Sequence, residues 1–182
     1  MKRKVEVVPY NSEWPAMFKA EKARIVPVFG DRLLSIHHIG STSVPGLAAK
    51  PIIDMMPVVK DILAVDECNS GMEGLGYTAM GEYGIPGRRL FSLKIDDITN
   101  KVHIHVFQHG DLNIERHLAF RDYLRAFPSI ADEYARIKRE LAQRFTWDIE
   151  AYMDGKNGFI KETEREAIKW YRKKTGSEEQ LS

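Results

Sequence analysis

The chain has 182 residues, of which 43% are hydrophobic and 29% charged, with a formal net charge of +1. That length can bury its own core without metal or cross-link, and the near-neutral balance supplies no global field to draw nucleic acid or an anionic membrane. The single cysteine, Cys68, excludes an intramolecular disulfide and a cysteine-rich zinc site.

The first residues are basic but run into alternating positions, which is not the pattern of a signal peptide. The longest apolar stretches, such as Ile52 to Val59, are too short for a bilayer and contain Asp54. The cytoplasm is the expected compartment. Val5 to Pro9 reads as a short strand or extended arm. Ser12 is placed to cap a helix over 13–29, with Pro15 in its first turn and Trp14, Phe18, Ile25 and Phe29 near helical spacing. Pro27 is expected to kink or end it.

A strand over 33–39 stops at Gly40, Ser41, Thr42 and Ser43, a strong turn signal. Residues 51–59 are apolar apart from Asp54, the pattern of a central strand covered on both faces. Residues 61–74 suggest a helix ended by glycine, with Cys68 as a partly buried structural thiol. A strand over 77–80 and a glycine-rich link over 81–87 follow. Residues 88–96 and 101–107 alternate and read as an antiparallel hairpin turning at 96–100. Beyond Leu112 the period becomes helical, over 112–126, 129–145 and within 156–174, with Pro128 separating the first two. The tail 175–182 is expected to fray. The fold class is therefore α+β: a mixed sheet flanked by helices, sheet-rich over about 1–110, with a C-terminal helical cap over about 111–174, all in one domain.

Chemistry concentrates between His38 and Asp54. Gly40 permits tight curvature and close approach to a ligand. Ser41, Thr42 and Ser43 offer hydroxyls and N–H donors where a short helix begins, a place suited to an anion. The spacing is not that of a Walker loop. Asp54 sits in an apolar strand, where a carboxylate is costly unless a cation or hydrogen-bond donors meet it.

The stretch from Ile39 to Asp54, the segment Val8 to Pro15, the run His103 to Phe107 and the run Phe120 to Arg125 together resemble the GrpB family, over about residues 5–172. The resemblance implies a nucleotidyltransferase-like core, in which a Gly-Ser turn holds nucleotide phosphates and strand carboxylates hold a divalent metal. Carboxylates two apart on a strand share one face and can grip magnesium together. Here the position two beyond Asp54 is Met56, which cannot bind a hard cation. His103 and His105 are also two apart, on one face of their strand. They either form hydrogen bonds on a polar face or join Asp54 as catalytic and metal-binding groups, a set that suits a transition metal better than Mg2+.

Phosphate-binding candidates are Gly40, Ser41, Thr42, Ser43, Lys50 and Arg88. Lys50 either reaches a phosphate or lies on the surface. Arg121 is expected to pair with Asp122 or a neighbouring acid. Lys156, near Gly155 and Gly158, either approaches a ligand from the cap or sits in solvent at a helix end, and His37, His38, His109 and His117 are weaker candidates. The aromatic residues of the last helices read as core. These features fit a metal-assisted nucleotidyltransferase-like enzyme acting on a nucleotide or small phosphorylated molecule. A non-catalytic nucleotide- or metabolite-binding module and a transition-metal phosphoesterase are the alternatives. No heptad or long apolar patch marks an oligomer.

Overall fold

Side-chain alternation along the strands explains how the layers assemble, since successive residues face opposite sides of a sheet. In the computed structural model, which describes residues 4–94 and 100–176, the strands are β1 (Leu33–Ile39), β2 (Ile53–Val59), β3 (Thr78–Ala79), β4 (Arg89–Lys94) and β5 (Asn100–Gln108). They form one sheet in the order β1-β2-β5-β4-β3. Only the β2–β5 pair is parallel; the others run antiparallel. The hairpin expected from residues 88–107 is the β4–β5 pair. Its turn over 96–100 lies almost wholly outside the described residues.

One face of the sheet carries Ile53, Met55 and Val59 from β2 with Val102, Ile104 and Val106 from β5. These pack with Trp14, Ile25 and Phe29 of helix α1 (Trp14–Phe29) and with Met72 of the short helix α2 (Asn69–Gly74). All six strand residues are buried. The other face carries Asp54 and Met56, then His103, His105 and Phe107, and is covered by α3 (Leu112–Ala126), α4 (Pro128–Arg144) and α5 (Ile149–Thr175). Strand β2, central as its composition suggests, is thus covered on both sides.

The turn segment between β1 and β2 ties the helices to the sheet. Val44, Leu47 and Ala48 pack against Leu124, Ala131 and Tyr134. Arg125 of α3 donates to the Ser43 carbonyl through Nε (3.0 Å) and Nη2 (2.7 Å), and Arg121 donates to the His38 carbonyl at 3.1 Å. Arg121 also pairs with Asp122, at 2.7 Å, as its sequence neighbourhood suggested. Val8 bridges to Ala49, so the N-terminal arm adds only an isolated rung. No helix among the described residues is long and apolar enough to cross a membrane.

Several boundaries differ from expectation, each for a local reason. Ser12 does not cap α1; the Asn11 side chain accepts from the Glu13 N–H instead, at 2.9 Å, and the helix starts at Trp14. Pro27 does not end α1, because it falls in the last turn, where a missing N–H costs one bond. The helix expected over 61–74 is split into a 3-10 stretch, Leu63–Cys68, and α2. Asn69, Ser70 and Gly71 are weak helix formers, and Gly71 comes so near α1 that a Cβ would lie 2.8 Å from Val28 Cγ1. Cys68 is buried, with its thiol directed at the Val28 carbonyl, and burial raises its pKa.

The largest difference concerns α5. It begins at Ile149, where Asp148 accepts from the Ala151 N–H at 3.0 Å, and runs straight through Gly155 and Gly158. Gly155 is a helix-crossing residue, not a loop: a Cβ there would meet Leu141 Cδ2 of α4 at 2.5 Å. Lys156 is consequently mid-helix and buried, not a solvated lysine at a helix end.

Candidate functional site

Register brings the sequence candidates together. Asp54 pairs with Ile39 on β1 and with His103 on β5, so the carboxylate stands beside the turn that β1 feeds. Gly40 has φ 71° and ψ −175°, a backbone region open essentially to glycine alone. A Cβ at this position would sit 2.7 Å from Asp54 Oδ2. Gly40→Ala is therefore expected to cost about 1–3 kcal/mol of backbone strain and to displace the carboxylate. Thermal denaturation should show a loss of several degrees, and a melting temperature equal to the parent's would contradict the tight approach.

Asp54 Oδ1 lies 3.2 Å from His105 Nε2 and 3.5 Å from His103 Nδ1. Withdrawal from water pushes the Asp54 carboxyl pKa up, but the hydrogen bonds from His103 and His105 overturn that and hold it well below the usual carboxylate range. Behind His105 stands Arg88, buried, with Nη1 3.2 Å from His105 Nδ1 and its other donors on the carbonyls of Glu82 and Tyr83. A guanidinium only donates. Nδ1 must therefore accept, which leaves the ring proton on Nε2, directed to Asp54. Arg88 is absent from the cavity wall and supports the site from behind.

Above these groups lies a cavity of about 320 Å³. Gly40, Ser41 and Thr42 form one wall; Thr42 Oγ1 donates to the Ile52 carbonyl at 3.2 Å and accepts from His38 Nε2 at 3.0 Å. Ser43 is turned away, its hydroxyl donating to the Gly40 carbonyl, and serves the turn. Burial lowers the His38 pKa to about 4, so its ring is neutral.

The helices supply the opposite wall: Arg116, His117 and Phe120 from α3, Tyr134 and Lys138 from α4, and Tyr152, Lys156 and Glu164 from α5. Arg116 donates to Glu164 at 2.7 Å and to His117 Nε2 at 3.2 Å. Burial, reinforced by Arg116, lowers His117 to about 3. Lys138 Nζ donates to Ser41 Oγ at 3.0 Å and to the Ala48 carbonyl, with the Tyr134 ring beneath it. Lys50 and Lys156 flank the Tyr152 ring, their Nζ atoms 5.4 and 5.2 Å from its centroid. Burial, and then the neighbouring cations, bring Lys138 down to about 7; burial and Lys50 bring Lys156 to about 8.

Of the expected residues, Asp54, His103, His105, Gly40, Ser41, Thr42 and Lys50 line this one cavity, whereas Ser43 and Arg88 do not. Arg116, Tyr134, Lys138, Tyr152 and Glu164 were not foreseen as site residues, and His117 only as a weaker candidate. Their signal was present only as polar residues at core-facing positions of the last helices.

Asp54, His103 and His105 offer ligand atoms that all lie within 4.8 Å of one another. One carboxylate with two imidazoles suits a transition metal better than magnesium. Ligation through His105 Nε2 would require the loss of the proton that Arg88 keeps there, so Asp54 and His103 are the readier pair.

A mixed sheet that sets a Gly-Ser turn beside a strand carboxylate, with helices closing the cleft, is a nucleotidyltransferase-like fold. The Cid1 poly(U) polymerase, solved with magnesium and 3′-dATP bound, superimposes with a TM-score of 0.54 at 11% identity, over 76% of this chain and 44% of Cid1. The family model described as "GrpB protein" matches residues 4–166, and the chain belongs to that family. The conserved protein GrpB from Enterococcus faecalis aligns with a TM-score of 0.87 and 42% identity, over 91% of this chain and 99% of that one. The UPF0157 protein YqkA of Bacillus subtilis is 48% identical across 93% of this chain, which spans only 49% of that relative's length.

Proposed function

We propose that the cavity binds a nucleotide or a small phosphorylated molecule, with its phosphate between the Ser41 turn and the helix lysines, for metal-assisted transfer. The observation that carries this reading is the pair Lys138 and Lys156. Both are buried in the cavity wall, and among the described residues neither takes part in an ion pair. A buried ammonium without a counter-ion is costly, and a ligand phosphate would supply one. Ser41, already bonded to Lys138, would orient a phosphate oxygen beside it.

Asp54 with His103, and His105 once its Nε2 proton is displaced, would hold a divalent metal. When bound, such an ion neutralises charge that develops on phosphate oxygens. The chain's own part is otherwise positional. The turn and lysines fix the phosphate, while Asp54 is kept ionised by the imidazoles. Gly40 lets the backbone approach the carboxylate. The nucleotide and magnesium held by the Cid1 neighbour agree with this reading.

One observation favours a binding module without turnover. Met56 is fully buried in an apolar cluster where a second strand carboxylate would stand. Titration calorimetry with nucleoside triphosphates, with and without magnesium, separates the cases. Binding to the parent that weakens roughly tenfold, or by ~1.4 kcal/mol, in Lys138→Met and in Lys156→Met supports the phosphate reading. Equal affinities in all three proteins would reject it. Product formation then distinguishes the enzyme from the module.

A further inference from the structure

Tyr152 is completely buried, and its hydroxyl is the only buried side-chain nitrogen or oxygen among the described residues without a hydrogen-bond partner. The chain satisfies such groups elsewhere. Tyr77, also buried, donates to Glu21 at 2.7 Å. An unmet buried hydroxyl is a standing cost, and native structures keep one chiefly where something else completes it. Tyr152 has two distinguishing features. It lines the cavity, and its ring is flanked by Lys50 and Lys156. Both ammonium groups lie over the ring, so the phenol sits next to positive charge.

We infer that the Tyr152 hydroxyl is a recognition donor of the cavity, giving its hydrogen bond to an anionic oxygen of the phosphorylated ligand flanked by Lys50 and Lys156. This rests on the phosphate reading of the cavity. Burial raises the phenol to about 12, so the hydroxyl keeps its proton throughout the neutral range and remains a donor. Phenylalanine in its place keeps the shape, the packing and the ring beneath the lysines while removing only the unmet group. Loss of the hydroxyl should then leave folding untouched and reduce binding, a combination that a structural tyrosine cannot show. Tyr77→Phe should do the reverse, losing stability with its buried hydrogen bond to Glu21, which keeps Arg24, without touching the cavity.

The test uses inorganic tripolyphosphate as the probe, with calorimetry and thermal denaturation of the parent, Tyr152→Phe and Lys156→Met. The expected result is a Tyr152→Phe melting temperature at or above the parent's and a dissociation constant raised about tenfold, as for loss of one charge-assisted hydrogen bond. In protein labelled with 13C at tyrosine Cζ, one resonance that vanishes in Tyr152→Phe should shift when tripolyphosphate is added to the parent. If Tyr152→Phe binds like the parent while Lys156→Met is weakened, the hydroxyl has no recognition role and the phosphate site stands. If the parent itself fails to bind tripolyphosphate, both readings fall together. A Tyr152→Phe protein that melts lower and binds normally would show that an internal water completes the hydroxyl, and would overturn the inference.

Discussion

Met56→Asp is expected to destabilise the protein by roughly 2.5–6 kcal/mol, not to complete a magnesium-binding pair. Met56 is fully buried on the same face as Asp54, but it packs with Ile39 and Phe107 beneath Ile85, Ile114 and Leu118. Losing the buried side chain costs about 1.5–3 kcal/mol, and an unpaired polar group left in that cluster costs a further ~1–3 kcal/mol or more. Together these approach the whole stability of an ordinary domain, about 5–15 kcal/mol. Met56→Leu, nearly equal in volume, should cost less than about 1.5 kcal/mol. Urea denaturation of the two variants measures the contrast. A Met56→Asp protein as stable as the parent, with a gain in magnesium affinity, would mean that the cavity reaches one strand position deeper than its lining indicates.

That cluster also shows how far sequence alone could go. The alternation of β2 and β5 made it legible that Asp54 shares a strand face with Met56, and His103 with His105. The Gly40 turn announced itself through its residue types. What alternation could not disclose was which strand adjoins β2. Parallel pairing with β5 depends on the crossover through α2, β3 and β4, and that pairing sets Asp54 against His103.

The helical wall was less legible for a different reason. Lys138, beside Arg139 and Glu140, and Lys156 lie in amphipathic stretches, and helical period assigns such residues to solvent. Only the close crossing of α4 and α5 at Gly155 turns both toward the turn between β1 and β2. A glycine such as Gly155 reads as a break until a neighbouring helix is known to need the space. Arg88 was placed among the phosphate ligands because of its charge. Its actual contacts are two carbonyls and the back of His105, which no local pattern encodes.

The two lysines should make stability and anion binding respond to pH in opposite directions. Their folded-state pKa values, about 7 for Lys138 and about 8 for Lys156, lie below the ordinary lysine value. Between those values and about 10.4, where unfolded lysine titrates, the unfolded chain holds protons that the folded chain has released. Stability must therefore rise with pH through that window, with a slope approaching ~1.4 kcal/mol per pH unit for each lysine. Below about pH 7 both are charged in either state, and the full burial penalty remains. Above about pH 10 the trend reverses, because burial raises Tyr134 and Tyr152 and their unfolded counterparts ionise first. An anion in the cavity favours the charged lysines, so tripolyphosphate should bind more weakly as pH climbs from 7 to 9 and should take up protons on binding. Denaturation at several pH values, with calorimetry in two buffers of different ionisation enthalpy, reads both slopes. Lys138→Met should flatten each one, because it removes both the buried charge and the proton it would regain. Affinity independent of pH, with no proton uptake, would show that the ligand leaves the lysines unpaired and that the cavity serves some uncharged group.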